Sequence, residues 1–160
     1  MAMTMNGEVA LPADRATVWA ALNDPEVLKR CIPGTQELEK LSDTEFQATV
    51  KAAVGPVKAT FKGRVTLSDL DPPNAYRISG EGQGGVAGFA KGGANVRLAD
   101  ADGGGTLMAY DVEANVGGKL AQLGGRLING VAKKYADEFF ANFAKVLAGN
   151  EAAPAVEIAP

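Results

Sequence analysis

The chain of 160 residues carries 16 Lys+Arg against 19 Asp+Glu, a formal charge of −3, and has the size of one domain around one core. It has no His and a single Cys, Cys31, which excludes His-based or multi-thiolate metal sites, Ser-His-Asp triads, Cys-His pairs and any disulfide within one chain. The mildly acidic balance argues against nucleic-acid binding, and the longest uncharged stretch, Gly82–Ala90, falls far short of the roughly 18 residues of a membrane span.

The opening MAMTMNGE has neither a basic flank nor an apolar run, so it does not read as a secretory signal, and a cytoplasmic address is expected. Asn6–Leu11 then reads as a short strand, ended by Pro12. Asp14 can cap a helix there, because its carboxylate accepts from the first free backbone amides. Val18, Trp19 and Leu22 form that helix's apolar stripe. Asn23-Asp24-Pro25 opens a second short helix, with Pro25 at its first position. Val27, Leu28 and Ile32 turn inward, and Pro33-Gly34 ends it.

Five segments with the period-2 alternation of half-buried strands follow. Thr44–Val54 sets Phe46, Ala48, Val50, Ala52 and Val54 on one face. After the Gly55-Pro56 turn, Val57–Leu67 does the same with Val57, Ala59, Phe61, Val65 and Leu67. Tyr76, Ile78, Gly80 and Gly82 share the next inner face, then Ala94, Val96 and Leu98, then Met108, Tyr110, Val112 and Ala114. With the first strand and another near Gln36–Leu41, the pattern predicts an antiparallel meander of about seven strands.

From Lys119 to Leu147 the period lengthens. Leu123, Leu127, Val131, Tyr135, Phe139, Phe143 and Leu147 stand four apart, beside a second ridge of Leu120, Ile128, Ala132, Ala136 and Phe140. One unbroken amphipathic helix of roughly 40 Å is expected. Strands followed by a long helix predict an α+β domain, a curved sheet wrapped around that helix, over residues 1–149. Residues 150–160, NEAAPAVEIAP from Asn150, read as a Pro/Ala-rich flexible tail.

The inner faces are lined sparsely. Ala48, Ala52, Ala59, Gly63, Gly80, Gly82, Gly84, Ala94 and Ala114 sit where a packed core would place Leu, Ile or Phe. At normal sheet–helix spacing such a lining leaves an apolar hollow. A ligand-sized pocket of about 300 Å3, at about 24 cal/mol per Å3 of cavity, would cost at most about 7 kcal/mol. That rivals a whole domain's stability, so a resident ligand is the expected reason for it. Alternatively, the glycines mark bulges and bends of the sheet.

The candidate lining from the strands is Phe46, Val50, Phe61, Val65, Tyr76, Ile78, Phe89, Val96, Met108, Tyr110 and Val112. Leu120, Leu123, Leu127 and Val131 complete it from the helix. No catalytic residue and no metal ligand is expected, because none of these inner faces carries Asp, Glu, Lys or Arg. Tyr76 and Tyr110 alone have a proton to offer, and read as anchors for a ligand's polar end or as core tyrosines bonded to backbone.

Gly80-Glu81-Gly82-Gln83-Gly84-Gly85 matches G-x-G-x-x-G, but a nucleotide loop must open a helix, and a strand pattern follows here. It reads as a glycine-hinged connection between strands at the rim of the hollow. Ser42-Asp43-Thr44-Glu45 is a hairpin turn, and Cys31 a buried small hydrophobe. Lys119, Arg126, Lys133 and Lys134 make the early part of the helix basic. That face is either plain solvated surface or a dock for an acidic partner or anionic lipid headgroups.

Four stretches together carry a family resemblance: LPADRATVWAALNDPEVLKRCIPG, GEGQGGVAGFAKGGANVRL, AYDVEANVGGKLAQLGGRLI and AKKYADEFFANF. The turn Cys31-Ile32-Pro33-Gly34 and the run Leu123-Gly124-Gly125-Arg126-Leu127-Ile128 are the most diagnostic. Over about Met5–Leu147 the chain resembles the G-subunit family of carbon monoxide dehydrogenase, within the START-like (SRPBCC) helix-grip superfamily. The resemblance implies a seven-stranded antiparallel sheet, two short helices and a C-terminal helix over a hydrophobic cavity.

It also implies an accessory or membrane-recruitment factor for a molybdenum hydroxylase of the carbon monoxide dehydrogenase type, with transient contact at the inner membrane face. Its cargo would be a quinone or other prenyl lipid, held without covalent or metal attachment. A non-enzymatic carrier of an apolar small molecule is therefore expected. A protein–protein adaptor using the basic face and the tail is the alternative. A cyclase or hydrolase would need an ionisable pocket residue that these faces lack.

Overall fold

A computed structural model describes residues 1–149; the tail expected over 150–160 lies outside the described residues. Strand β1 (Ala2–Leu11) leads into helices α1 (Arg15–Leu22) and α2 (Pro25–Cys31). Six strands follow: β2 (Thr35–Ser42), β3 (Glu45–Val54), β4 (Val57–Asp71), β5 (Ala75–Gln83), β6 (Phe89–Asp100) and β7 (Thr106–Gly117). Helices α3 (Lys119–Gln122) and α4 (Gly125–Leu147) end the domain. The seven strands form one antiparallel sheet in the order β1-β7-β6-β5-β4-β3-β2, so that only β1 leaves chain order.

Local chemistry explains the elements. The Asp14 carboxylate accepts from the Thr17 amide at 2.8 Å and caps α1, while Asp24 does the same for α2 through Glu26 at 2.9 Å, with Pro25 behind it. Gly55, at φ +59°, closes the two-residue turn that pairs Val54 with Val57. The G-x-G-x-x-G segment is a strand connection: it finishes β5 and turns through a single 3-10 turn, Gly85–Ala87, into β6. The outer face of the sheet is polar, with Arg77 bridging Asn95 and Glu113 across strands and Arg97 paired with Asp111 at 3.0 Å.

The single long helix expected from Lys119 to Leu147 is two helices. Gly124 lies at φ +89°, ψ 155°, a conformation open essentially to glycine alone, and the chain turns there before α4 begins. Both helices bury apolar residues against the same end of the sheet, Leu120 from α3 and Ile128 from α4 beside Val116, so an apolar pattern runs on through the break. Among the described residues, no helix is long and apolar enough to cross a membrane.

Among the described residues the interior divides into two apolar clusters. The larger joins α1, α2 and the C-terminal half of α4 to the sheet through Val18, Cys31, Tyr76, Val96 and Phe143, among others. The smaller, around Val116, Leu120 and Ile128, seats α3 and the start of α4. Asn142 donates to the Cys31 carbonyl at 3.1 Å and fastens the end of α2 to α4. Cys31 itself is fully buried.

Candidate functional site

Between the sheet and the C-terminal half of α4 lies a cavity of about 330 Å3. The sheet contributes Met5 from β1, and Phe46, Ala48, Val65, Leu67, Tyr76, Ile78, Ala94, Val96, Met108, Tyr110 and Val112, these last all on the inner faces that the alternation assigns. Leu38 adds to this from the edge strand β2. Leu22, Leu28 and Ile32 close one side from the short helices, and Ala136, Phe139 and Phe140 form the roof. Every lining side chain is hydrocarbon or thioether except those of the two tyrosines.

Those tyrosines differ in setting. Tyr76 is 7% exposed, and its ring packs T-shaped against Trp19, the centroids 5.3 Å and the planes 82° apart. Burial raises its phenol well above the ordinary value of 10, so the group stays protonated. Tyr110 stacks on Phe140 at 5.3 Å, and its hydroxyl lies over Gly7 on the neighbouring strand. Tyr110 and Phe140 also line a surface groove with Glu8, Val9, Asp137, Ala141 and Ala144. The stacked pair is thus the partition between cavity and groove.

The small inner residues play two roles. Ala48 and Ala94 open directly onto the cavity. Gly63 and Gly92 instead allow close approach of backbone: a Cβ there would collide with the carbonyls of Glu81 and Glu113 across the strand pair. Gly84 lies beneath the Phe61 ring. Ala52 and Ala59 floor a separate open trough of about 720 Å3, rimmed by Lys51, Lys58 and Tyr135. Its polar rim makes it a poorer match for an apolar guest than the inner cavity. Tyr135 is tied to backbone, its hydroxyl accepting from the Ala53 amide at 3.2 Å.

The candidate lining residues fall into three groups. Phe46, Val65, Tyr76, Ile78, Val96, Met108, Tyr110 and Val112 face the cavity together. Phe61, Leu120 and Leu123 belong to the smaller cluster, and Val50 and Val131 are half-buried outside the cavity wall. Phe89 and Leu127 are corrections: Phe89, 39% exposed, shares the outer face with Lys91 and Arg97, and Leu127 is 37% exposed beside Gly55. The helix contribution moves from α3 and the first half of α4 to Ala136, Phe139 and Phe140, because Ile128 and Leu120 are occupied in sealing Val116.

Sequence reasoning missed Leu22, Leu28 and Ile32 as lining, although the inward stripe of the short helices was the available signal, and it missed Met5, Leu38 and Leu67 on the strands. It also missed Lys40, whose ammonium sits 5.8 Å from the Phe46 ring centroid and 3.4 Å from the Asn23 carbonyl, just outside the cavity wall. Of the basic face, Lys119, Arg126, Lys133 and Lys134 are all exposed, and Lys133 is bonded to Asp137 at 2.9 Å. That bond, chiefly, raises the Lys133 pKa.

A sheet gripping a C-terminal helix, with two short helices after the first strand, defines the START-like class of fold. A START superfamily protein from Mycobacterium smegmatis has a similar structure, with a TM-score of 0.70 at 13% identity over 91% of this chain and 97% of that one. The Zhui aromatase/cyclase from Streptomyces sp. R1128 is similar in fold at a TM-score of 0.66 and 13% identity, covering 96% of both chains. A conserved protein from Geobacillus kaustophilus reaches a TM-score of 0.86 at 31% identity, covering 92% of this chain and 96% of that one. Residues 7–148 match the family model for the carbon monoxide dehydrogenase G-subunit (CoxG), and the chain belongs to that family. No curated protein matches it.

Proposed function

We propose that this chain is a non-enzymatic carrier of an apolar small molecule, a quinone or other prenyl lipid, serving a molybdenum hydroxylase of the carbon monoxide dehydrogenase type. The observation that carries this reading is the cavity of about 330 Å3, whose lining is hydrocarbon and thioether apart from two phenols. Its volume sits at the low end of the range for small-molecule sites, about 300–1,000 Å3. A compact ring system or a short isoprenoid matches it, and the groove beyond Tyr110 and Phe140 offers a longer tail one way out. Acid–base catalysis needs an ionisable group in reach, and a phenol held protonated by burial is a weak one.

Native mass spectrometry of freshly purified protein tests the reading, with a copurifying apolar compound as the expected result. Adding a soluble quinone should quench Trp19, the only tryptophan, which touches Tyr76 at the cavity wall. A clean apo mass together with unchanged Trp19 emission overturns the carrier reading. The exposed Lys119, Arg126 and Lys134 favour a second reading, an adaptor for assembly or membrane recruitment of the dehydrogenase. Charge reversal at Lys133 and Lys134 would then abolish copurification with the enzyme while leaving the Trp19 response intact.

A further inference from the structure

The chain has three tyrosines, and their hydroxyls are treated differently by the fold. Tyr135 is bonded to the backbone of Ala53, and Tyr110 lies at the partition beside an open groove. Tyr76 is 7% exposed, faces the cavity, and has no hydrogen-bond partner among the described residues. The fold does satisfy a comparable buried hydroxyl elsewhere: Thr106, fully buried, donates to the Ala13 carbonyl at 2.7 Å. Buried polar groups are ordinarily paired, and leaving one unpaired costs stability.

We infer that the Tyr76 hydroxyl is the specificity determinant of this cavity, donating a hydrogen bond to a neutral acceptor oxygen, a ketone or quinone carbonyl, on an otherwise hydrocarbon ligand. The inference rests on the carrier reading and adds to it the polarity and charge of the cargo. The ring is held from two sides: Trp19 packs against it with the planes 82° apart, and Val96 flanks it in register on β6. The phenol donates because burial keeps its proton in place. The acceptor must be neutral, since among the described residues no Lys or Arg lines the cavity and Lys40 is turned to Asn23 and Phe46 outside it. A carboxylate brought there would be a buried charge without a counter-ion.

Three probes of one shape separate the terms: 2-acetonaphthalene, its near-isostere 2-isopropenylnaphthalene, and 2-naphthoate. Each is titrated by displacement of the neutral dye Nile red from the wild type, Tyr76→Phe and Tyr110→Phe. The wild type should prefer the ketone to the alkene by about tenfold, the worth of one buried hydrogen bond, and should bind naphthoate at least tenfold more weakly than the ketone. Tyr76→Phe should erase the ketone preference by weakening the ketone alone, and Tyr110→Phe should keep it. The infrared carbonyl stretch of bound 2-acetonaphthalene should be red-shifted in the wild type and released in Tyr76→Phe.

Equal binding of ketone and alkene by the wild type, a preference that survives in Tyr76→Phe, or naphthoate binding as tightly as the ketone overturns the inference and leaves the carrier reading standing. An unshifted carbonyl in the wild type overturns it without any variant. Failure of Nile red and all three probes to bind the wild type sinks the carrier reading itself.

Discussion

Tyr76 has a consequence for the ligand-free protein as well as for cargo. A buried donor without a partner lowers stability, so Tyr76→Phe should raise the unfolding free energy of ligand-free protein by about 1 kcal/mol, measured by urea titration at pH 7. The variant should also flatten the alkaline limb. Burial raises the folded-state pKa above the unfolded value of 10, so the neutral phenol's contribution is complete below that pH and is lost as pH climbs past it. Each pH unit above about 10 should remove about 1.4 kcal/mol more from the wild type than from the variant, until the folded phenol ionises. Parallel alkaline curves for the two proteins would show that the phenol is not desolvated.

At the scale of elements, two glycines of the C-terminal region should respond in opposite directions to the same change. Gly124 holds φ +89° at the junction of α3 and α4, so Gly124→Ala should destabilise by about 1–3 kcal/mol although no described residue crowds a Cβ there. Gly130 lies inside α4 with open space around it, and Gly130→Ala should stabilise by about 1 kcal/mol. Thermal unfolding of the two variants checks both signs. The strands were readable because period-2 alternation survives in all but β2, whose register shifts twice against β3, and the caps because Asp14 and Asp24-Pro25 act locally. The helix break was not, because Leu123 and Leu127 keep the four-residue spacing across Gly124-Gly125. The turn does change facing, since Leu127 is 37% exposed and Ile128 takes the buried place, but spacing alone does not register it.

For the whole molecule, facing was legible and depth was not. Phe46, Val65, Ile78 and Val112 share the cavity because each strand's alternation assigns them one face. Which length of α4 roofs them depends on where α1 and α2 fold back, a long-range fact with no local signature. Gly63 and Gly92 read like absent side chains in sequence, yet they are close approaches of one strand's backbone to the next. Filling the cavity tests its extent. Ala94→Leu projects between Ile78 and Val112, its neighbours in register, and should stabilise ligand-free protein by about 1–2 kcal/mol while weakening Nile red binding at least tenfold.

The stacked Tyr110–Phe140 pair bears on timing. A boundary made of two rings can part by side-chain rotation, with every strand pairing and every turn of α4 left intact. Guest exchange would then run on its own clock, far ahead of the seconds-to-days lifetime of a native domain. Stopped-flow release should quicken several-fold in Phe140→Ala, with amide protection of β1 and β7 unaltered. A small protein built this way can hand over its contents repeatedly without ever coming apart.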